Sequence, residues 1–520
     1  MALVKINIDG QEIEVPDDLN LILAARRLGI HIPHFCYHPG LGVDGNCRMC
    51  LIEVEGLPKP AIACNTTPKD LLTRDGVRKV LTASPKAKEW QRNTLEFLFL
   101  NHPLDCPICD QSGECLLQDY YMLHGQYVSR LDLPKVHKRK VVPIGPRVML
   151  DAERCVLCAR CVRFCDSVTG TGEMRIVNRG HRSEITTYDG VPLDNDYSLN
   201  TVDICPVGAL TSSEFRFRKR VWLLSSVNSI CTGCARGCNI HLEHAEGIVY
   251  RYRPRENMEV NGYWMCDPGR ATHHALNEER LEAELENGEE IPFSRALASA
   301  AAAVREVRAA GRPARVLCLV SPASSTETLF AVKRFAELVL GGATVAGTGT
   351  RPAGVEDRIL RLADPYANTA GLRLLGLQRD PEPELQQGGD LLVVVEDDPL
   401  AEGQRPAWKE HLRGFGRVIY LGTNLGATSA AAQLALPITP HSECDGTFIN
   451  FQEKVQRFRK GMTPRGDALW APELLHRIAR ACELEFGWAN LAALWRDLET
   501  AEPALAGRGL EAGLGGEARR

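Results

Sequence analysis

Cysteine spacing is the feature that most constrains what this chain can fold into. Sixteen of its 19 cysteines lie between Cys36 and Cys266, and only three occur in the second half. They are clustered at short intervals, which is typical of metal ligands, whereas disulfides are rare in a reducing compartment. The spacing therefore predicts four metal centres, one after another, within the first 280 residues.

The first group surrounds a glycine-rich loop in the order Cys-x10-Cys-x2-Cys-x13-Cys, and its members are Cys36, Cys47, Cys50 and Cys64. Four thiolates can hold a [2Fe-2S] cluster. Gly40, Gly42 and Gly45 permit positive φ, which would turn backbone amides toward the cluster sulfurs. Structural zinc is the alternative, although zinc sites more often contain two Cys-x2-Cys pairs and this group has one.

The second group includes one imidazole in the order His-x3-Cys-x2-Cys-x5-Cys, and its members are His102, Cys106, Cys109 and Cys115. This ligand set suits zinc as well as an iron-sulfur cluster, so the group by itself leaves both open. A neutral ligand makes a cluster less negative than four thiolates do, which tends to raise its reduction potential. His102 is therefore predicted to tune such a cluster as well as to hold it.

The third group has the ferredoxin arrangement of a Cys-x2-Cys-x2-Cys run and a remote Cys-Pro, and its members are Cys155, Cys158, Cys161 and Cys205. This arrangement is typical of a [4Fe-4S] cluster. A two-cluster ferredoxin would show a second run before Cys205, and the interval contains none. Cys165 is therefore predicted to be a buried spare thiol rather than a ligand.

The fourth group follows Cys-x2-Cys-x3-Cys-x27-Cys, and its members are Cys231, Cys234, Cys238 and Cys266. The spacing suits a [4Fe-4S] cluster, with a zinc ribbon as the alternative. Four zinc knuckles in succession are hard to explain, whereas redox centres held close together in a protein of low dielectric form a path for electrons. The four groups together predict an electron relay.

Charge and sequence signals exclude several other functions. The chain has 61 basic and 66 acidic side chains and a net charge of -5, so nucleic acid is not the default partner. It shows no secretory signal and no run of about 18 apolar residues, so a soluble, cytoplasmic protein without a membrane span is expected. Neither a P-loop nor a complete G-x-G-x-x-G is present, so no nucleotide-binding site of these two kinds is predicted in this chain. Three histidines near Cys36 are expected to be surface or packing residues: His31, His34 and His38. The basic strip, which consists of Arg216, Arg218, Lys219 and Arg220, is expected to face solvent or another subunit.

Changes in composition and in hydrophobic pattern divide the chain into domains. The strands VKINI and EIEV meet at a turn and precede a helix whose start is predicted at Asp17 and Asp18. From about residue 285, alanine-rich helices alternate with the strands RVLCLV, DLLVVVEDD and RVIYLGT, which indicates open α/β. The predicted domains span residues 1–78, 79–125, 140–215, 224–280 and 285–502, with a disordered tail at 503–520.

These motifs resemble the family of large iron-sulfur subunits of respiratory complex I, the NADH:quinone oxidoreductase. The resemblance rests on the His and three Cys followed by CVLCARCVRFC and DICPVGALTS, and it covers nearly everything from residue 1 to about 280. It implies a multidomain α+β and α/β fold. An N-terminal β-grasp [2Fe-2S] ferredoxin domain is followed by a helical [4Fe-4S] domain, a bacterial-ferredoxin-like one and a molybdopterin-oxidoreductase-type one.

The resemblance also implies a function. In this family a flavin subunit takes hydride from NADH, and electrons pass through the first three clusters to other iron-sulfur subunits and quinone, while the fourth lies off that route. It assigns a [2Fe-2S] cluster to the first group and a [4Fe-4S] cluster to each of the others. No molybdopterin, FMN or NAD and no catalytic acid or base is expected in this chain. The implied location is the cytoplasmic side of the bacterial inner membrane, as a peripheral subunit.

The second half resembles a shortened molybdopterin oxidoreductase fold, most clearly in LPITPHSECDGTFINFQEKVQRF. Cys318, Cys444 and Cys482 lack the context of a molybdenum ligand, and Arg270 stands where such enzymes usually have lysine. A cofactor-free scaffold is therefore expected. The alternatives are a subunit of a molybdenum-dependent formate dehydrogenase, a subunit of an NAD-linked hydrogenase and a structural zinc protein.

Overall fold

The structure is a computed structural model that describes residues 2–310, 314–401 and 407–508. It contains two compact units, residues 1–223 and residues 224–520. The division falls where the fourth cysteine group is predicted to begin its own domain. Within the described ranges, no helix is long and apolar enough to cross a lipid bilayer.

A small mixed sheet opens the first unit. Its elements, with a separate two-stranded ribbon (β5 and β6), are β1 Leu3–Ile8, β2 Gln11–Pro16, α1 Leu21–Arg27, β3 Leu51–Val54, β4 Ala61–Ile62, β5 Leu72–Thr73, β6 Gly76–Val77 and β7 Val80–Leu81. The sheet order is β2-β1-β7-β3-β4. Apolar alternation places Ile6, Ile8 and Val15 in one core. Because β7 is part of this sheet, the first domain continues past the predicted boundary at residue 78.

Helix α1 begins later than predicted. The Asn20 side chain accepts the Leu23 amide at 3.1 Å and caps the helix, so Asp17 and Asp18 lie outside it. Gly29, with φ of +74°, lies two residues beyond the end of the helix.

The rest of the first unit consists of short elements that carry the second and third cysteine groups. They are α2 Pro85–Phe99, α3 Leu116–His124, β8 Val142–Pro143, β9 Val148–Leu150, α4 Arg160–Phe164, β10 Met174–Val177, β11 Glu184–Thr187, α5 Asn200–Asp203 and β12 Leu210–Ser212. Strands β12, β9 and β8 form one antiparallel sheet, and β10 pairs with β11. The ligand loops lie between these elements.

The second unit opens with an antiparallel sheet that carries the fourth group. Its elements are β13 Ser225–Ile230, β14 Asn239–Ala245, β15 Ile248–Pro254 and α6 Asp267–Ala271. Cys231 follows β13 directly, and Cys266 is the N-cap of α6. The first three ligands of the group therefore lie in the loop between β13 and β14.

The remainder is an α/β half built on an open sheet, as the sequence predicts, with one separate two-stranded hairpin near its end (β23 and β24). Its elements are β16 Leu285–Glu286, β17 Glu289–Glu290, α7 Phe293–Ala309, β18 Val316–Val320, α8 Thr326–Leu338, β19 Thr344–Gly347, α9 Thr369–Leu374, α10 Glu382–Gln387, β20 Gly389–Val395, α11 Trp408–Arg413, β21 Phe415–Gly422, α12 Ala427–Ala431, β22 Leu434–Pro437, β23 Gly446–Ile449, β24 Val455–Phe458, α13 Ala471–Ala481 and α14 Leu491–Ala501. The sheet order is β17-β16-β22-β21-β20-β18-β19, with parallel pairing from β22 to β19. The strand order reverses between β18 and β20, which is where open α/β sheets form a crevice.

The predicted disorder of the C-terminal tail is wrong for its first residues. Pro503–Leu505 forms a helical turn, and the Leu505 side chain is fully buried in the core of the α/β half. That apolar anchor outweighs the glycine- and alanine-rich composition on which the prediction was based. The rest of the predicted tail, 509–520, lies outside the described residues.

Removing the N-cap of α8 is expected to destabilise the second unit modestly. The Ser325 hydroxyl accepts the Thr328 amide at 3.1 Å. Ser325→Ala should reduce the free energy of unfolding by about 1 kcal/mol, because a helix-terminal donor loses its partner. Thermal denaturation of the variant beside the wild type measures this loss, and an unchanged midpoint would show that the cap contributes nothing.

Candidate metal centres

The first group is buried and paired. Cys36, Cys50 and Cys64 are at most 1% exposed. The Cys36 amide donates to the Cys47 sulfur at 3.4 Å, and a hydrogen bond between the two thiols lowers the pKa of Cys36 to about 5 and raises that of Cys47. A hydrogen bond with Cys64 likewise raises the pKa of Cys50. The four thiols therefore come together as two adjacent pairs.

The loop of the first group uses two of its three predicted glycines. Gly42 and Gly45 have φ of +70° and +73°, and the Gly45 amide points at the Cys36 sulfur. Gly40 does not adopt positive φ, and its amide donates to His38 Nδ1 at 3.1 Å. Arg48, which follows Cys47, is a third residue of this loop with positive φ, at +55°.

The second group contains an unpaired imidazole nitrogen. His102 Nδ1 is buried and has no hydrogen-bond partner, and burial lowers the pKa of this side chain to about 4. A neutral imidazole with a free nitrogen is the form that binds metal. Asp105 and Arg154 lie within electrostatic reach of both His102 and Cys109.

The cysteines of the second group differ in how closely the backbone approaches their sulfurs. A Cβ added to Gly208 would lie 2.3 Å from the Cys109 sulfur, so only glycine leaves room for that ligand. Burial raises the pKa of Cys115 to about 12, although the amides of Leu117 and Gln118 at the start of α3 point toward its sulfur. Cys106 is exposed.

The third group lines a single apolar cavity. Cys155, Cys158, Cys161 and Cys205 all face it, among neighbours that include Leu150 and Ile185. Burial, followed by the neighbouring thiols, raises the pKa of Cys155 to about 12 and that of Cys158 to about 11. Left-handed residues shape the loop, with φ of +53° at Leu157 and +58° at Ala159. The Leu157 amide donates to the Cys155 sulfur at 3.3 Å.

The fourth group is equally enclosed. A Cβ added to Gly269 would lie 3.0 Å from the Cys231 sulfur and 3.1 Å from the Cys266 sulfur, which places both sulfurs next to that glycine. The Gly269 amide donates to Cys266 at 3.3 Å. Burial raises the pKa of Cys238, and the thiols of Cys231, Cys234 and Cys266 raise it further. These four cysteines therefore face one another.

Direct contacts join the loops of the first three groups within the first unit. The Asn46 side chain, beside Cys47, donates to the Leu157 carbonyl of the third group at 3.2 Å. The Leu116 amide, beside Cys115, donates to the Pro206 carbonyl at 3.0 Å. Thiols of all three groups also pack in one apolar cluster with Phe35, Leu95 and Val207. The third group is thus the neighbour of both others.

Buried arginines beside the ligands were not predicted from the sequence. Arg160 and Arg154 are 6% and 3% exposed and flank the first three groups. Arg220 donates to the Cys109 carbonyl at 2.7 Å, so at this residue the basic strip is a structural anchor. Arg270 donates to the Tyr252 carbonyl at 3.0 Å near Cys231. The sequence signal for Arg154 and Arg160 was that each directly precedes a ligand in ERCVLCARCVRFC.

The remaining residues singled out in the sequence have ordinary surroundings. Cys165 is fully buried and its thiol hydrogen-bonds Glu173. His31 Nε2 lies 3.1 Å from the Tyr120 hydroxyl, and His34 Nδ1 lies 2.7 Å from the Ile32 carbonyl, so both are packing residues as expected. Cys318 is buried in β18, which agrees with its predicted place in a strand.

The ligand sets fit iron-sulfur clusters. All 19 cysteines are free thiols. In every group at least one backbone amide points at a cysteine sulfur. Hydrogen bonds of this kind help to set the reduction potential of an iron-sulfur cluster. The unpaired His102 nitrogen and the glycines that a Cβ would drive into ligand sulfurs are further marks of built sites.

Family models match each of these regions in turn. They are described as a 2Fe-2S iron-sulfur cluster binding domain at residues 1–73, an NADH-ubiquinone oxidoreductase-G iron-sulfur binding region at 91–130, the ferredoxin-like domain of NADH-quinone oxidoreductase subunit 3 at 145–211 and a molybdopterin oxidoreductase Fe4S4 domain at 224–278. The chain therefore contains 2Fe-2S and 4Fe-4S binding domains within a mixed α/β fold.

Curated relatives extend the likeness into the α/β half. The G subunit of the NADH-quinone oxidoreductase of Streptomyces coelicolor is 37% identical over 472 residues, 85% of this chain and 53% of that protein. Its Mycobacterium bovis counterpart is 40% identical over 65% of this chain and 42% of the relative. The NADH-ubiquinone oxidoreductase 75 kDa subunit of Reclinomonas americana is 41% identical over 55% of this chain and 41% of the relative.

The chain spans about half the length of the relatives it matches. A crystal structure of an NAD+-reducing [NiFe]-hydrogenase in the H2-reduced state is 28% identical and covers 42% of this chain and 91% of that one, with a TM-score of 0.37. The oxidoreductase-G family model at residues 91–130 and the curated relatives point to the same enzyme subunit. The chain is therefore a homologue of the G subunit, also called the 75 kDa subunit, of NADH-quinone oxidoreductase.

Proposed function

We propose that this chain is the electron-transfer subunit of the peripheral arm of an NADH:quinone oxidoreductase. It holds one [2Fe-2S] cluster in the first group and a [4Fe-4S] cluster in each of the other three. The proposed domains follow these groups, with the first one extended to residue 81. The proposed ligands are Cys36, Cys47, Cys50 and Cys64; His102, Cys106, Cys109 and Cys115; Cys155, Cys158, Cys161 and Cys205; and Cys231, Cys234, Cys238 and Cys266.

The observation that carries this proposal is the shared apolar packing of the first three groups. Their thiols contact one hydrophobic cluster, and their loops are joined by the Asn46–Leu157 and Leu116–Pro206 hydrogen bonds. Iron-sulfur clusters supply one-electron redox chemistry when bound. This chain's residues would hold them at fixed separation, exclude water and keep the thiolates in a low-dielectric environment. The third group, as the neighbour of both others, occupies the middle position of the proposed line.

The proposed partners are a flavin subunit that oxidises NADH and further iron-sulfur subunits that lead to quinone, on the cytoplasmic side of the inner membrane. The sequence offers no complete dinucleotide-binding motif of its own. NADH should therefore reduce the centres of this chain within the assembled complex but not in the isolated chain, whereas dithionite should reduce both. EPR of the two preparations tests this. Reduction of the isolated chain by NADH, or no reduction in the complex, would contradict the proposal.

We propose further that the α/β half is a scaffold. At the crevice between β18 and β20, Glu396 Oε2 and Asp397 Oδ2 are buried without hydrogen-bond partners, and burial raises the pKa of both side chains. Phosphate-bearing cofactors need amide or cationic donors at such a crevice. Arg351 lies within electrostatic reach of both acids and offsets part of their charge. The two buried acids support a role other than binding a pterin nucleotide. Stoichiometric molybdenum in the purified protein would overturn this part.

Replacing His102 by cysteine is expected to keep the second centre and lower its potential. A fourth thiolate adds negative charge, which disfavours the reduced state, and a fall of about 59 mV corresponds to a tenfold change in the equilibrium constant for reduction. An EPR-monitored redox titration measures the shift. His31→Gln is the control, since His31 is paired with Tyr120. An unchanged potential in His102→Cys would show that His102 is not a ligand.

A further inference from the structure

Arg160 is a buried cation without a carboxylate partner. Its side chain is 6% exposed at the start of α4, and Nη1 donates to the Ile204 carbonyl at 3.1 Å. Nη2 donates to the Tyr37 carbonyl, and Nε has no partner. Within the described parts of the chain, no aspartate or glutamate forms an ion pair with it. Both of its partners are therefore neutral carbonyl groups.

The position of Arg160 spans two ligand groups. Tyr37 directly follows the ligand Cys36, and Ile204 directly precedes the ligand Cys205. Ionisable groups within electrostatic reach of the guanidinium include Cys158, Tyr120, Cys205 and Cys47. Three of these four are proposed ligands, one from the first group and two from the third.

An unpaired buried charge is too unfavourable to be retained without compensation. Arginine keeps its proton in proteins, so it does not escape the penalty by neutralisation as lysine or histidine does. Metal ligation requires the cysteines to be deprotonated, and an all-cysteine iron-sulfur centre has a net negative charge. The missing countercharge is therefore supplied when the first and third groups bind their metal.

We propose that Arg160 is the shared counter-cation of the first and third centres and raises the reduction potential of both. This inference rests on the proposed function, since it requires redox centres at those two groups. Reduction adds negative charge to each centre, and a fixed cation in a low-dielectric interior stabilises that added charge. Arg160 acts through the centres' environment and is a positioning and tuning residue, not a ligand.

Arg163 provides a matched comparison from the same helix. Its Nη2 donates to the Cys36 carbonyl and its Nη1 to the Leu41 carbonyl at 3.1 Å, so it also anchors the loop of the first group. It is only half-buried, and solvent and salt screen its charge. Arg163→Gln removes comparable hydrogen bonds while changing the buried charge little.

The test is an EPR-monitored redox titration of the full chain with its clusters, in wild type, Arg160→Gln, Arg160→Lys and Arg163→Gln, after iron has been counted in each. Arg160→Gln is expected to make reduction of both centres at least about tenfold less favourable, which is about 59 mV for a one-electron couple. Arg160→Lys, which keeps the charge, and Arg163→Gln should each show a much smaller shift.

The results distinguish an effect of the positive charge of Arg160 from an effect of its hydrogen bonds. Wild-type protein without iron would defeat the proposed function itself. If iron is present and Arg160→Gln leaves both potentials unchanged, or Arg163→Gln shifts them equally, the inference is overturned and the function stands. If Arg160→Gln loses the clusters, retention in Arg160→Lys supports the need for positive charge. Equal loss in Arg160→Lys would show that hydrogen bonding rather than charge is required, and would overturn the inference.

Discussion

Gly208→Ala is expected to remove the second centre and leave the others in place. The new Cβ would lie 2.3 Å from the Cys109 sulfur, closer than any permitted contact, and 3.0 Å from the Gln111 Cβ, which is a tight contact. Cys109 is 8% exposed, so it has little room to retreat. Iron should fall from about fourteen atoms per chain to about ten, with loss of one [4Fe-4S] signal from the EPR spectrum.

Alanine substitutions at two other glycines provide comparisons, one without a steric clash and one with a milder clash. Gly349→Ala is the control, because its Cβ would meet nothing closer than a Tyr366 ring carbon at 4.0 Å. Gly269→Ala would bring a Cβ within 3.0 Å of Cys231 and 3.1 Å of Cys266, a milder conflict that should weaken the fourth centre without abolishing it. Full iron content in Gly208→Ala would mean that Cys109 does not hold a cluster in the position described.

Breaking the Arg280–Glu443 ion pair should be the most destabilising single change in the second unit. The two side chains are 1% and 0% exposed, and Arg280 Nη1 lies 2.6 Å from Glu443 Oε1. Arg280 also donates to the Thr423 carbonyl at 2.9 Å. Arg280→Met leaves a buried carboxylate without its cation, which should reduce the free energy of unfolding by about 3–5 kcal/mol and the midpoint by roughly 10 °C.

Thermal denaturation followed by tryptophan fluorescence provides the measurement, with two comparisons. The double variant Arg280→Met, Glu443→Leu should recover part of the loss, because no unpaired charge remains. Arg477→Met breaks an exposed pair with Glu473 and should change stability by less than about 1 kcal/mol. A loss in Arg280→Met no larger than that in Arg477→Met would refute the role given to the buried pair.

Local patterns were enough to predict the strands, the α/β half and the four ligand groups. Apolar alternation at Ile6 and Ile8 predicts the first hairpin, and the unbroken apolar run at β18 predicts a buried strand. These signals depend only on neighbours in sequence. The spacing Cys-x2-Cys-x2-Cys likewise predicts that Cys155, Cys158 and Cys161 share a site.

Features that depend on distant residues were not predictable in this way. The buried Leu505 anchors residues whose composition indicated disorder. The helix start is a different case, because the Asn20 cap is a local signal that lies two residues beyond the predicted Asp18. Arg160 reaches Tyr37 across more than a hundred residues, so no local signal shows that its charge lacks a carboxylate. The clash at Gly208 likewise depends on Cys109, which lies far away in the chain.

The most direct test of the electron-relay proposal is a count of iron and acid-labile sulfide in the purified full chain, combined with low-temperature EPR after reduction. One [2Fe-2S] and three [4Fe-4S] clusters predict about fourteen of each atom and signals of both cluster types. A colourless protein with about four zinc atoms and no EPR signal on reduction would contradict it, because zinc undergoes no redox chemistry.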